Sequence, residues 1–227
     1  MGLATAAESL FTSHTLSQDK EGHSRAVADT ARAIASRMGP TIAVDPEAAY
    51  AAGLLHDLGL SLRGQLTERD EELDPWPEHA IAGARIALEA GFPRAIVTSI
   101  QSHEGVGYTQ AEMAELKLDP PAIGKTWGAR SALSKVLATA DELVFLTRHL
   151  SVDPWRDHAA IRRYGHPYLD TIYRKRAGHA ITDTHPVLMR LERRIVEVLP
   201  WARAGDVPPP WPGLARSSAA AWETETD

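Results

Sequence analysis

The sequence contains no cysteine at all. That excludes disulfides, thiolate metal sites and a cysteine nucleophile, and it fits a reducing compartment, so the expected location is cytoplasmic. Aromatic residues make up only 6% of the chain, with three phenylalanines, so the core must be built from aliphatic side chains and alanine. There is no surplus of positive charge: the net charge is -6, which argues against nucleic acid or a membrane surface as a partner. No stretch approaches the roughly 20 apolar residues needed to cross a bilayer. Met1 to Leu10 carries no basic segment followed by an apolar run, and Ala6 stands where a myristoylation signal needs Ser or Thr. A soluble protein is expected. Strand-like alternation and internal repeats are missing too, which leaves an all-helical reading.

What is present is enough for one domain. The 227 residues, 44% hydrophobic and 24% charged, can bury a sizeable core. The reading is a single helical domain over 1–199, with a motif-bearing core at about 20–150 and a helical extension at 151–199. Residues 200–227, with a triple proline and then Ser, Ala and acidic residues, read as a flexible tail.

The chain is organised around Gly53-Leu54-Leu55-His56-Asp57-Leu58-Gly59, an apolar run ending in an imidazole and a carboxylate. Adjacent helical residues point about 100° apart, so both reach one object only if it sits near a helix end. A metal ion meets that condition, and one Asp can serve two ions with its two oxygens. A capping His beside a solvated Asp is the simpler alternative for such a pair alone.

The rest of the chain shifts the balance. Ala4 to Leu16 reads as a short helix and Ser17 to Gly22 as a polar turn. A helical stripe through His23, Val27, Ala31 and Ile34 ends near Met38. Asp45-Pro46 opens a second helix running to His56-Asp57. Ser61 to Pro77 reads as a polar loop or lid. Further helices start at Glu78-His79 and after Pro93, the latter carrying Ile96 and Ile100 in register with His103. Glu104 to Gly128, with glycines and prolines between short helical fragments, reads as a long loop around the mouth of a site. Ser131 caps a helix in which Asp141 interrupts the stripe of Leu133, Leu137, Ala140 and Val144. Helices are also expected around 155–175 and 186–199. A carboxylate on a buried face is costly unless paired or bound to metal.

His23, His56, Asp57, His79, His103 and Asp141 therefore lie on or at the ends of helices that one core can bring together. Six nitrogen and carboxylate donors suit two ions about 3.5–4 Å apart that share a carboxylate.

This ordered set, His23, then His56-Asp57, then His79, then His103, then Asp141, resembles the HD-domain superfamily of metal-dependent phosphohydrolases, and within it the members that hold two metals. The resemblance covers roughly residues 20 to 150. It implies that His23, His56, Asp57 and Asp141 bind one metal, and that His79 and His103 bind a second with Asp57 bridging. It implies an activated hydroxide as nucleophile and a phosphoester or phosphoanhydride of a nucleotide or small phosphorylated metabolite as substrate. The cofactors implied are two divalent ions, iron or manganese in the first place, with zinc, magnesium, nickel or cobalt as alternatives. A homodimer is also within the reading.

Two segments, His79-Ala80-Ile81-Ala82-Gly83 and His103-Glu104-Gly105-Val106-Gly107-Tyr108, are similar to parts of the HD-GYP cyclic-dinucleotide phosphodiesterases. Ser102 and Thr109 depart from that signature and point away from cyclic-dinucleotide cleavage. Leu60 stands where many relatives carry a lysine, and Arg63 is the nearest replacement, able to bind and stabilise but not to transfer protons. Glu104, beside a ligand, is a candidate base or orienting group. Lys135, Arg162, Arg163 and Lys175 are further candidates to hold phosphate, although solvated charge is the default for each. HD-fold di-iron oxygenases share the six ligands and form the alternative reading. The lysines that inositol and organophosphonate oxygenases use are missing here at Leu60 and from Glu104 to Gln110. His14, His149, His158, His166, His179 and His185 are not assigned to metal.

Overall fold

The structure is a computed structural model that describes residues 2–37, 44–66, 70, 74–104, 108–119, 128–148 and 169–198. Every regular element among them is helical, as the sequence implies. The elements are α1 (Leu3–Thr12), α2 (Gln18–Arg37), α3 (Pro46–Leu55), a 3-10 turn (Leu58–Arg63), α4 (His79–Glu89), α5 (Arg94–Gln101), α6 (Gln110–Glu115), α7 (Ala132–Arg148) and α8 (Pro186–Val198). Residues 169–176 are also helical. The expected tail at 200–227 and the start of the helix expected from 155 lie outside the described residues.

Helix α3 is the axis of the molecule. Asp45 caps it by accepting from the Glu47 amide at 2.9 Å, and Pro46 occupies its first turn. Ala49, Ala51, Ala52, Gly53, Leu54 and Leu55 are all buried, so the C-terminal half of this helix is covered on every side. It packs against α1, α2, α5 and α7. Its small residues allow close approach: a Cβ added at Gly53 would lie 2.6 Å from Ala28 Cα on α2. The consequence for function is positional, because the end of this central helix delivers His56 and Asp57 into the core.

A second close approach fixes the opposite wall. A Cβ at Gly59 would lie 2.1 Å from the His79 carbonyl oxygen and 2.7 Å from the Gly83 amide nitrogen. The 3-10 turn therefore lies backbone to backbone against α4, at the turn that carries His79. Gly59→Ala is expected to force the two apart, destabilising the fold by about 3 kcal/mol and moving His79. Urea unfolding together with metal content would check it. Native stability with native metal content would show that the turn has slack.

One expectation needs correction. Ser17 to Gly22 is not a turn but the first turn of α2: the Ser17 carbonyl accepts from the Glu21 amide at 2.9 Å, and its hydroxyl from the Lys20 amide at 3.3 Å. Asp19 and Glu21 suit the positive end of that helix. Of the short helical fragments expected between Glu104 and Gly128, α6 is one, opened by a capping box in which Thr109 and Glu112 satisfy each other's amides.

The C-terminal segment is fastened across these site-flanking elements by charge. Arg176 grips Glu78 at 2.6 and 2.7 Å. Lys175 reaches Asp74 at 3.1 Å, Arg190 holds Glu112 at 2.6 Å, and His179 meets Glu115 at 2.6 Å. Tyr173, fully buried, packs edge-on against His185 beneath them. The described part of this segment thus braces both the start of α4 and α6.

Candidate metal centre

The six residues singled out in the sequence converge at one place in the core. His23 comes from α2, His56 and Asp57 from the end of α3, His79 from the first turn of α4, His103 from just past the end of α5, and Asp141 from the middle of α7. All but Asp141 are buried, and Asp141 is partly so. Their donor atoms form interlocking groups: His23, His56 and Asp141; His56, Asp57 and His103; and His79, His103 and Glu104. Two helix C-terminal ends, those of α3 and α5, point their negative poles here, which favours cations.

Asp57 divides the cluster between its two oxygens. Oδ2 lies 3.3 Å from His56 Nε2 and 3.9 Å from His23 Nε2. Oδ1 lies 3.1 Å from His79 Nε2 and 3.7 Å from His103 Nε2. Asp141 Oδ1 completes the first group, 3.0 Å from His23 Nε2 and 3.6 Å from His56 Nε2.

The imidazoles are oriented by the backbone. Nδ1 of His56 meets the Gly53 carbonyl at 2.7 Å, Nδ1 of His79 the Trp76 carbonyl at 2.6 Å, and Nδ1 of His103 the Ile100 carbonyl at 2.6 Å. A carbonyl only accepts, so each Nδ1 must carry the proton and donate it. In the neutral rings each Nε2 then presents a bare lone pair to the centre. Such second contacts are what fix tautomer and ring direction in metal sites. The result would be repulsive with nothing between: the Nε2 atoms of His79 and His103 face each other at 3.1 Å, and the buried Nε2 of His56 has no hydrogen-bond partner.

The electrostatics of His103 favour this form, while those of His56 register the excess of carboxylate charge around it. Burial lowers the pKa of His103, favouring the neutral, lone-pair form. Burial also works against a charged His56, but Asp57 and Asp141 outweigh it and push that group up to about 9. Burial would raise the pKa of Asp57, yet His56, Lys20 and His103 hold it well below the usual carboxylate range. The pocket is short of positive charge, and divalent cations are the species that inward lone pairs and carboxylates accept. The donor set fits a dinuclear His/Asp metal site.

Glu104 is buried with its Oε1 3.4 Å from His79 Nδ1, so it belongs to the second group as a neighbour rather than to the surface. Arg63 is engaged elsewhere: it pairs with Asp74 at 2.8 Å and lies over the Trp76 ring. Lys175 shares that Asp74, while Arg162 and Arg163 lie outside the described residues. His149, His158 and His166 are likewise outside them. Lys20 is a residue the sequence reading missed. It is only 5% exposed, and its Nζ lies 3.7 Å from Asp57 Oδ2. The available signal was its spacing: three residues before His23, it shares a helix face with that histidine once α2 is started at Ser17.

A profile of the HD domain family matches residues 21–145, more than half of the chain. An uncharacterized protein of Methanocaldococcus jannaschii is 33% identical over 110 residues, covering 48% of this chain and 56% of that protein. A tRNA (cytidine(56)-2'-O)-methyltransferase of Picrophilus torridus is 29% identical over 129 residues, covering 57% of this chain and 33% of that protein. The chain thus spans less than two thirds of either relative. Among solved structures, the HD domain of the L. monocytogenes phosphodiesterase PgpH is similar at 19% identity and a TM-score of 0.45, covering 87% of this chain and 98% of that one.

Proposed function

The chain belongs to the HD domain family, and on that footing we propose that it is a metal-dependent phosphohydrolase acting on a nucleotide or small phosphorylated metabolite. The observation that carries this reading is the division of Asp57, one oxygen toward His23 and His56 and the other toward His79 and His103. In the proposal His23, His56, Asp57 and Asp141 hold one divalent ion, and His79 and His103 hold a second with Asp57 common to both. Iron or manganese is preferred for this mixed imidazole and carboxylate set. Two ions held by these residues would supply activation of water near neutral pH and offset charge on the phosphoryl oxygens.

The protein's own residues do the rest. Carbonyls of Gly53, Trp76 and Ile100 keep three imidazoles aimed inward, so the site needs little reorganisation as charge develops. In this reading Glu104, whose Oε1 lies 3.4 Å from His79 Nδ1, orients His79 or takes a proton from the attacking water. Arg63 contributes as a phosphate anchor by exchanging Asp74 for substrate, since its guanidinium is a permanent cation. The absence of cysteine suits a cytoplasmic setting, and the charge of -6 favours a small substrate over nucleic acid. Among the described residues no helix is long and apolar enough to cross a membrane.

The test begins with elemental analysis of protein purified without chelator under low oxygen. About two equivalents of iron or manganese per chain are expected. A paired screen for phosphate release and oxygen uptake follows, with phosphate release expected. Oxygen consumption coupled to substrate, without phosphate release, would overturn the hydrolase reading in favour of an oxygenase.

A further inference from the structure

Lys20 stands apart from the other charges around the centre. It is nearly as buried as the ligands, it comes from the same face of α2 as His23, and its Nζ is 3.7 Å from the oxygen of Asp57 that serves the first group. An ammonium in such a place is expensive to desolvate, and a plain structural ion pair would be as well served by an apolar pair of similar volume. The charge balance suggests what it is for. Asp57, Asp141 and Glu104 contribute three negative charges beside two divalent cations and four neutral imidazoles. Counting Lys20, the centre is left with two positive charges; without it, one.

We propose, resting on the hydrolase reading, that Lys20 is a substrate-binding residue that matches the centre to a phosphate bearing two negative charges. The substrate class is then a phosphomonoester or a terminal phosphate rather than an internal diester. Lys20 lies on the Oδ2 side of Asp57, so such a phosphate seats against the first group, its extra negative oxygen accepting from the ammonium in a charge-assisted hydrogen bond.

The experiment compares the manganese-loaded full chain with Lys20→Met and Lys20→Arg, after circular dichroism confirms folding and elemental analysis gives metal content. Binding is read without turnover, by calorimetric titration at pH 8 with inorganic phosphate as the doubly charged probe and dimethyl phosphate as the singly charged one. Lys20→Met is expected to weaken inorganic phosphate about 30-fold, as loss of a desolvated charge partner does. It should weaken dimethyl phosphate far less and keep both metals. Lys20→Arg should restore most of the phosphate affinity. In turnover, the monoester-to-diester ratio of kcat/KM for p-nitrophenyl phosphate and bis-p-nitrophenyl phosphate should fall at least tenfold in Lys20→Met. Equal weakening of both probes, or loss of metal from both variants, would overturn the proposal and make Lys20 a prop for Asp57. If phosphate binding depends on Lys20 while neither ester is cleaved by the wild type, the assignment of Lys20 stands and the hydrolase reading fails.

Discussion

Asp57→Asn is expected to abolish the two-metal centre while leaving the protein folded. The amide side chain has nearly the same shape but only one oxygen, so it can serve one histidine group and not both. Its NH2 group would turn toward the other and donate to an Nε2 lone pair, as the Oδ1 to His79 distance of 3.1 Å permits. The substitution therefore satisfies the buried imidazole it would otherwise strand, which is why folding should survive. What is lost is one negative charge and the shared ligand. Metal content should fall from about two per chain to one or fewer, and phosphate release should drop by at least about a thousandfold, some 4 kcal/mol in the barrier. Asp141→Asn is the informative contrast. Among the described residues Asp141 Oδ1 comes within 4 Å of His23 and His56, on one side of the cluster, so its loss should weaken one ion and spare the other. If Asp57→Asn kept both metals at native affinity, the bridging assignment would be wrong.

The parts of this centre that were legible in the sequence are those encoded locally. His103 continues the Ile96 and Ile100 spacing, Asp141 interrupts the apolar stripe of its helix, and His56-Asp57 ends an apolar run before a glycine. Each is a chemical oddity set against a period of 3.6, and the period itself supplies the face. The start of α2 was hidden because its first turn, Gln18 to Glu21, is wholly polar and followed by Gly22, so nothing periodic marks it. With that turn went Lys20. Helix α6 was legible only as a fragment without bounds, being only six residues long. The ties of Arg176 to Glu78 and of Arg190 to Glu112 join positions far apart in the chain. No local pattern specifies which acid a given arginine will meet. The same holds for Gly59: the sequence shows a glycine after the motif, but only the packing of the turn on the His79 carbonyl explains why a side chain cannot be there. Local periodicity names the six clustered residues, whereas chain crossing decides which supporting residues reach them.

Metal removal is expected to cost this fold a large share of its stability, and the size of the effect should count the ions. Nε2 of His79 and His103 lie 3.1 Å apart, with Asp57 and Asp141 in the same pocket, so without cations their lone pairs and charges would repel. Those buried groups are compensated by cations in the folded state, while the unfolded chain has no preformed site. At free metal a thousandfold above Kd, one ion stabilises by about 4 kcal/mol. For a chain of this size that raises Tm by roughly 8–16 °C. Above saturation each tenfold rise in free metal adds about 1.4 kcal/mol per bound ion. A plot of unfolding free energy against the logarithm of free manganese should therefore climb at about 2.8 kcal/mol per decade for two ions and half that for one. Asp57→Asn should flatten the slope to that of one ion or none, and Asp141→Asn to that of one. A wild-type slope near zero would mean that the inward lone pairs are met in some other way, and the catalytic reading would fall with the metal.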